Sequence, residues 1–217
     1  MKQALLIIDM QNGFLQPQSP LCIRGALATV PACARVISAC RAAGVPVIFI
    51  NRAYRADGSD VELTRRQVWA RGGKPLTPGS TGPLSVENPP EFGRASGDYE
   101  IIKPRYSAFF QTPLDLLLRR LGVDTVVLTG TTTPNCIRTT CYDAISLDYR
   151  VVVVEDCCSS NTEAIQQANM LDMGNVGAEV CSAAGDAQSP LGFSRHCSAS
   201  RSCVSASCRD SPWAIMG

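Results

Sequence analysis

Three side chains of the 217-residue sequence combine the types needed to attack a carbonyl: a carboxylate at Asp9, an ammonium at Lys103 and a thiol at Cys136. A thiolate is a strong nucleophile, a carboxylate can take and return its proton, and a cation can hold the two anions together. Each lies just past an apolar run. Asp9 closes ALLIID, Lys103 follows YEII, and Cys136 follows DTVVLTG and the turn TTTPN. Of the three lysines, Lys2 and Lys74 fall at the N-terminus and in an irregular segment, which leaves Lys103 as the one at a strand end. Cys136 is placed to open a helix, where unpaired N–H groups and a partial positive charge favour thiolate over thiol, so the sequence predicts a lowered thiol pKa. The N–H groups of Cys136 and of Thr132 in the preceding turn could bind the oxyanion formed as sulfur attacks. The competing reading of any single buried cysteine is small apolar filler, and Cys141, which points away from Cys136 along the helix, keeps that reading.

The elements that must position these groups read as alternating strands and helices. Residues 4–9 lack polar alternation and suit a buried parallel strand opening onto a pocket. Pro31 near a helix start, apolar or small Val36, Ile37 and Cys40, and Gly44 past its end precede the strand VPVIFI, which makes a βαβ unit. Residues 52–98 carry little periodicity, and so long an irregular segment in a compact domain reads as a lid or binding loop, or else as a solvated excursion. Order returns at residues 99–102. Thr112 as cap, Pro113, a leucine face at Leu114, Leu117, Leu118 and Leu121, and Gly122 then mark a helix. The strand at 124–130 leads to a helix from about residue 135 to 147, a strand at 150–156, a capped helix from Thr162 to about 173 and a short strand at 178–182. Such alternation predicts a parallel sheet with helices on both faces and ligands beyond the carboxyl ends of the strands. Right-handed winding then brings Asp9, Lys103 and Cys136 to one edge.

Composition narrows the chemistry. The chain is 45% hydrophobic and 18% charged, with formal charge +1, which gives no electrostatic reason to expect nucleic acid or an anionic membrane as partner. No apolar run approaches bilayer length, and Asp9 interrupts the first before it could act as an export signal, so a cytoplasmic location is expected. Eleven cysteines, an odd count without an export signal, read as reduced thiols. The single histidine, His196, leaves little for a histidine-based triad or metal centre, and neither a metal nor a cofactor is expected.

ALLIIDMQNGF, IIKPRYSAFF and TGTTTPNCIRTTCYDA, in that order, resemble the three signature stretches of isochorismatase-like cysteine hydrolases, each with one member of the family's triad. The resemblance runs from about residue 4 to 180. It implies a three-layer αβα fold around a central parallel sheet, a homo-oligomer (dimer or tetramer), and hydrolysis of an amide or carbamoyl C–N bond of a small molecule through a thioester. By that resemblance Asp9 is the general base, Cys136 the nucleophile and Lys103 the group that holds both, while a cis peptide between Thr131 and Thr132 turns the Thr132 N–H into the oxyanion hole. The turn TTTPNCIRTT is most similar to N-carbamoylsarcosine amidohydrolases and related ureido and maleamate hydrolases. The nicotinamidase branch brings an aspartate and histidine metal site that this chain, with His196 alone, cannot supply. Phe14, Trp69, Arg105, Phe110, Thr131 and Asn135 are candidate pocket residues, and Arg105 or Arg138 could hold a substrate carboxylate.

Domain organisation reads as a hydrolase domain at 1–182 and an irregular tail at 183–217, rich in Ser, Ala, Cys and Arg, of the kind that a frameshift or a replaced C-terminus would produce. His196 with Cys197, Cys203 and Cys208 matches no familiar zinc spacing. Two rival functions remain: a catalytically silent oligomeric scaffold or binding protein, and a redox protein using adjacent Cys157 and Cys158, which strain and the lack of a C-x-x-C motif disfavour.

Overall fold

The computed structural model describes residues 1–183; most of the predicted tail, including His196 and its neighbouring cysteines, lies outside the described residues. In chain order the main elements are β1 (Gln3–Ile8), α1 (Asn12–Leu15), α2 (Val30–Ala42), β2 (Val47–Asn51), α3 (Arg66–Arg71), β3 (Tyr99–Ile102), α4 (Leu114–Arg120), β4 (Thr125–Thr131), α5 (Arg138–Ser146), β5 (Arg150–Ser159), α6 (Glu163–Asn175) and β6 (Glu179–Cys181). The six strands form one sheet of order β3-β2-β1-β4-β5-β6, parallel at every pairing.

The continuous apolar runs are explained by burial on both sides of this sheet. In β1, Leu5 and Ile7 pack with Val36, Ile37 and Cys40 of α2, while Ala4, Leu6 and Ile8 face a second core with Leu114 and Leu118 of α4, Cys141 and Ala144 of α5 and Met170 and Met173 of α6. One helix therefore covers one face and three cover the other, giving the three-layer αβα architecture that the sequence predicts. The capping signals behave as read at two helix starts. Pro31 stands in the first turn of α2, and the Thr162 hydroxyl accepts from the Ile165 N–H at the start of α6.

The strand order reverses direction between β1 and β4, the position where parallel sheets open a crevice beyond their carboxyl ends. Gly130 makes the junction close. It pairs with Ile8, and a Cβ there would collide with the Ile8 backbone, so only glycine lets β4 approach β1 at this level. The next residues on each strand are Asp9, with φ of 55°, and Thr131, which joins Thr132 through a cis peptide bond.

The irregular stretch is exposed over much of its length, yet it carries a packed core of its own. Trp69 and Leu76 are buried with Phe14, Tyr54 and Val61 in a third, smaller core, and the Trp69 indole N–H donates to the Pro75 carbonyl at 2.9 Å. The Gln11 amide ties it to the sheet, donating to the carbonyls of Arg52 and Val86 and accepting from the Arg52 N–H.

Candidate active site

Asp9, Lys103 and Cys136 meet at the β1–β4 crevice, and all three are almost fully buried. Lys103 Nζ lies 2.8 Å from Asp9 Oδ2 and 3.5 Å from Cys136 Sγ, and donates at 2.9 Å to the Arg105 carbonyl. Its position follows from β3, since the Lys103 N–H continues the strand ladder onto the Asn51 carbonyl. The Asp9 backbone is fixed in the same way, its N–H donating to the Ile50 carbonyl at 2.8 Å. Neither Asp9 carboxylate oxygen makes a well-directed hydrogen bond, so the group is held by charge and keeps free acceptor capacity.

The turn carrying the thiol is wider than the α-helical start that the sequence predicts. Thr133–Ile137 forms a π-helical turn, and α5 proper begins only at Arg138. The Thr133 hydroxyl donates toward the β5 edge at Ser159 and is bonded to the Gln166 side chain of α6, which anchors the turn from below. Irregular helical turns of this kind are frequent at functional sites.

The thiol itself corrects the sequence expectation. Burial pushes the Cys136 pKa up, the Asp9 carboxylate pushes it further, and the Lys103 and Arg52 cations only partly oppose them. A helix-end charge is small beside the desolvation of an anion inside the fold, so the resting group is a thiol with a base beside it. Cys141, apolar filler by the sequence reading, is pushed by burial to about 12.

A cavity of about 190 Å³ opens over this cluster, lined by Asp9, Phe14, Leu21, Arg65, Thr131, Thr132 and Cys136 among others. Its size suits a small ligand, being below the roughly 300–1,000 Å³ of drug-sized sites. Of the pocket candidates, Phe14 and Thr131 line this cavity, and Thr132 lies beside them. Four other pocket candidates are not brought to it. Trp69 is committed to the third core, where its ring packs edge-on to Tyr54 and against Gly58. Arg105 points its guanidinium at the Asp60 and Pro104 carbonyls. Phe110 is 48% exposed. Asn135 sits in the π turn, outside the lining. Arg138, the other candidate for a carboxylate, pairs with Asp172 at 2.5 Å on the surface.

Sequence reading also missed a buried network behind Lys103. Arg52, fully buried, forms an ion pair with Glu62, bonds the Tyr54 hydroxyl at 3.2 Å and donates at 2.7 Å to the Arg105 carbonyl, the same oxygen that Lys103 uses. Tyr54 donates to Glu62 Oε2 at 2.6 Å. The one available signal was an arginine directly after a buried strand, beyond which nothing periodic marks its partners.

Among the described residues no group of three or more His, Cys, Asp or Glu side chains is placed to hold a metal ion, and no helix is long and apolar enough to cross a membrane. None of the eight cysteines described is in a disulfide.

Comparison with known proteins agrees with this geometry. Residues 3–185 match the isochorismatase domain family. An Arabidopsis thaliana protein named "Probable inactive nicotinamidase" is 40% identical over 176 residues, spanning 80% of this chain and 89% of that protein. Maleamate amidohydrolase of Pseudomonas putida is 32% identical over 176 residues, 79% of each chain. The crystal structure of an isochorismatase family protein from Desulfovibrio vulgaris superposes with a TM-score of 0.79 at 43% identity, covering 84% of this chain and 94% of that one.

Proposed function

The chain belongs to the isochorismatase family, and from that premise we propose that it is a cysteine amidohydrolase cleaving the C–N bond of a small amide or carbamoyl compound through a thioester. The observation that carries the reading is the Lys103 ammonium, 2.8 Å from the Asp9 carboxylate and 3.5 Å from the Cys136 sulfur at the floor of a small cavity.

In this reading Asp9 takes the thiol proton as Cys136 Sγ attacks the carbonyl carbon, which answers the raised thiol pKa: the anion forms only when substrate is present to receive it. The oxyanion is stabilised by the backbone N–H groups of Thr132 and Cys136. Its collapse breaks the C–N bond, and Asp9 returns the proton to the departing nitrogen, leaving the acyl group on sulfur. Water then attacks the thioester, giving one proton to Asp9 and releasing the acid, after which the thiol is restored. Lys103 holds the carboxylate and the sulfur in register.

The similarity to maleamate amidohydrolase supports an amide substrate. The test is ammonia release from a panel of ureido acids, carbamoyl amino acids, maleamate, nicotinamide and simple amides. Release from an amide or carbamoyl member is expected. A folded sample that releases ammonia from none would favour the second reading, a catalytically silent binding protein, for which the name of the Arabidopsis relative is the observation in favour.

A further inference from the structure

The Lys103 ammonium carries its donors on a flexible four-carbon stem, and three partners meet it: Asp9 Oδ2 at 2.8 Å, the Arg105 carbonyl at 2.9 Å and Cys136 Sγ at 3.5 Å. Two of these are the reacting groups themselves. The carbonyl is the remaining anchor, and it lies past the end of β3 at Ile102, outside the strand. Arg52 holds it there. Arg52 Nη2 donates to the Arg105 carbonyl at 2.7 Å, taking the second lone pair of the oxygen that Lys103 uses, while Nη1 pairs with Glu62 and bonds the Tyr54 hydroxyl at 3.2 Å.

Arg52 is itself immobilised from every side. Its backbone N–H donates at 2.7 Å to the Gln11 amide oxygen, and its guanidinium lies 5.7 Å from the Tyr54 ring and 5.9 Å from the Tyr106 ring. The side chain is fully buried. Burying a guanidinium is costly even beside a counter-ion, and an apolar residue of similar volume often holds a fold as well, so a buried pair alone is weak evidence of a structural purpose. The nitrogen aimed at the anchor of the triad ammonium supplies a different one.

We propose that Arg52 is a positioning residue for the triad: by donating to the Arg105 carbonyl it fixes the anchor of the Lys103 ammonium, and so keeps that ammonium between the Asp9 carboxylate and the Cys136 sulfur. Its charge acts in the same direction. Burial and Asp9 raise the Cys136 pKa, and Lys103 and Arg52 both oppose them. Losing Arg52 removes one opposing cation and frees the other to swing from the sulfur, and both changes disfavour the thiolate. Glu62 stands on the other nitrogen of the guanidinium, so its loss does not release the carbonyl. The effect on turnover rests on the hydrolase reading above; the effect on thiol reactivity does not.

The test removes the cation without stranding its partner. Arg52→Met combined with Glu62→Gln leaves no buried charge unpaired, Glu62→Gln alone removes only the carboxylate, and Arg52→Lys keeps a charged donor. Alkylation of Cys136 by iodoacetamide, followed by mass spectrometry of its peptide, gives the pH profile of the thiol in each variant, with folding confirmed by circular dichroism. The double variant is expected to have its profile about one pH unit above wild type. Arg52→Lys should recover most of that shift, and Glu62→Gln alone should not move upward. If the double variant does not fold, Arg52→Gln with Glu62→Gln makes the same charge change with hydrogen-bond donors in place, and its profile should also rise. A profile unchanged or lowered by loss of the guanidinium overturns the proposal. So does an equal rise in Glu62→Gln, because a merely structural pair would act alike through either member. In the kinetic arm, on the amide or carbamoyl compound hydrolysed best, the double variant should lose about tenfold to a hundredfold in kcat with KM little changed. A loss confined to KM would place Arg52 on the substrate and also overturns it. A raised thiol profile in a protein that hydrolyses nothing would sustain the positioning role and refute the hydrolase reading alone.

Discussion

Two buried ion pairs, Arg52–Glu62 and Lys103–Asp9, share the Arg105 carbonyl and differ in how completely they are satisfied. Glu62 accepts on both oxygens. Burial pushes its carboxyl up, but the Arg52 charge and the Tyr54 hydroxyl outweigh burial and hold it below its ordinary value. Asp9 has the ammonium but no well-directed hydrogen bond, and it faces a thiol whose pKa it helps to raise. The first pair is a closed unit that fixes the loop after β2; the second retains capacity to accept a proton. Bonding left unused at a buried carboxylate is what separates a group that can react from one that only holds the fold together.

Substitutions can break this comparison. The largest contrast is in activity. As general base, Asp9 should be worth about 10²–10⁴-fold, so Asp9→Asn is expected to lower ammonia release by that order, with Glu62→Gln within tenfold of wild type when both are assayed folded. Equal losses would mean the two pairs do the same job. In stability the order inverts for the outer pair. Glu62→Gln leaves a buried guanidinium without its counter-charge and should cost about 3–5 kcal/mol by denaturant titration, whereas Arg138→Met, which breaks only the surface pair with Asp172, should stay within about 1 kcal/mol.

The pH dependence sharpens the contrast further. Because the folded Glu62 carboxyl lies below its ordinary 4.5, its contribution is fully present above about that pH and is lost as pH falls through the lower folded value. Glu62→Gln should therefore flatten the acid limb of a stability curve measured below pH 5, and an unchanged limb would remove the pair from the account. The smallest effect concerns the thiol. Its pKa stands above the ordinary 9.0, so alkylation of Cys136 by iodoacetamide should still be accelerating past pH 9. Asp9→Asn, by removing a negative charge, should move the profile to lower pH; a shift upward would contradict the electrostatics described here.

How much of this could be read in advance depended on periodicity. Asp9, Lys103 and Cys136 sit at the ends of strands whose unbroken apolar runs declare burial, and parallel winding then puts their ends together. The parallel sheet followed from the same runs, and the three layers from the resemblance of the three motifs. The outer pair was invisible because Tyr54, Glu62 and Trp69 lie in a stretch without period, where partners are chosen by tertiary packing alone. Pocket membership failed for a related reason. Trp69, Phe110 and Arg105 have the right types, but type does not say whether an aromatic joins a core or an arginine finds a carbonyl. The thiol pKa was misjudged because a helix end is visible in sequence and the depth of burial is not.

The central claim is that Cys136 is the nucleophile, and the most direct measurement is the rate of ammonia release by Cys136→Ala beside wild type on the best substrate of the panel, with both confirmed folded by circular dichroism. The account predicts a fall of about 10⁴-fold or more, in line with removal of a covalent nucleophile. Activity in Cys136→Ala within tenfold of wild type would contradict it.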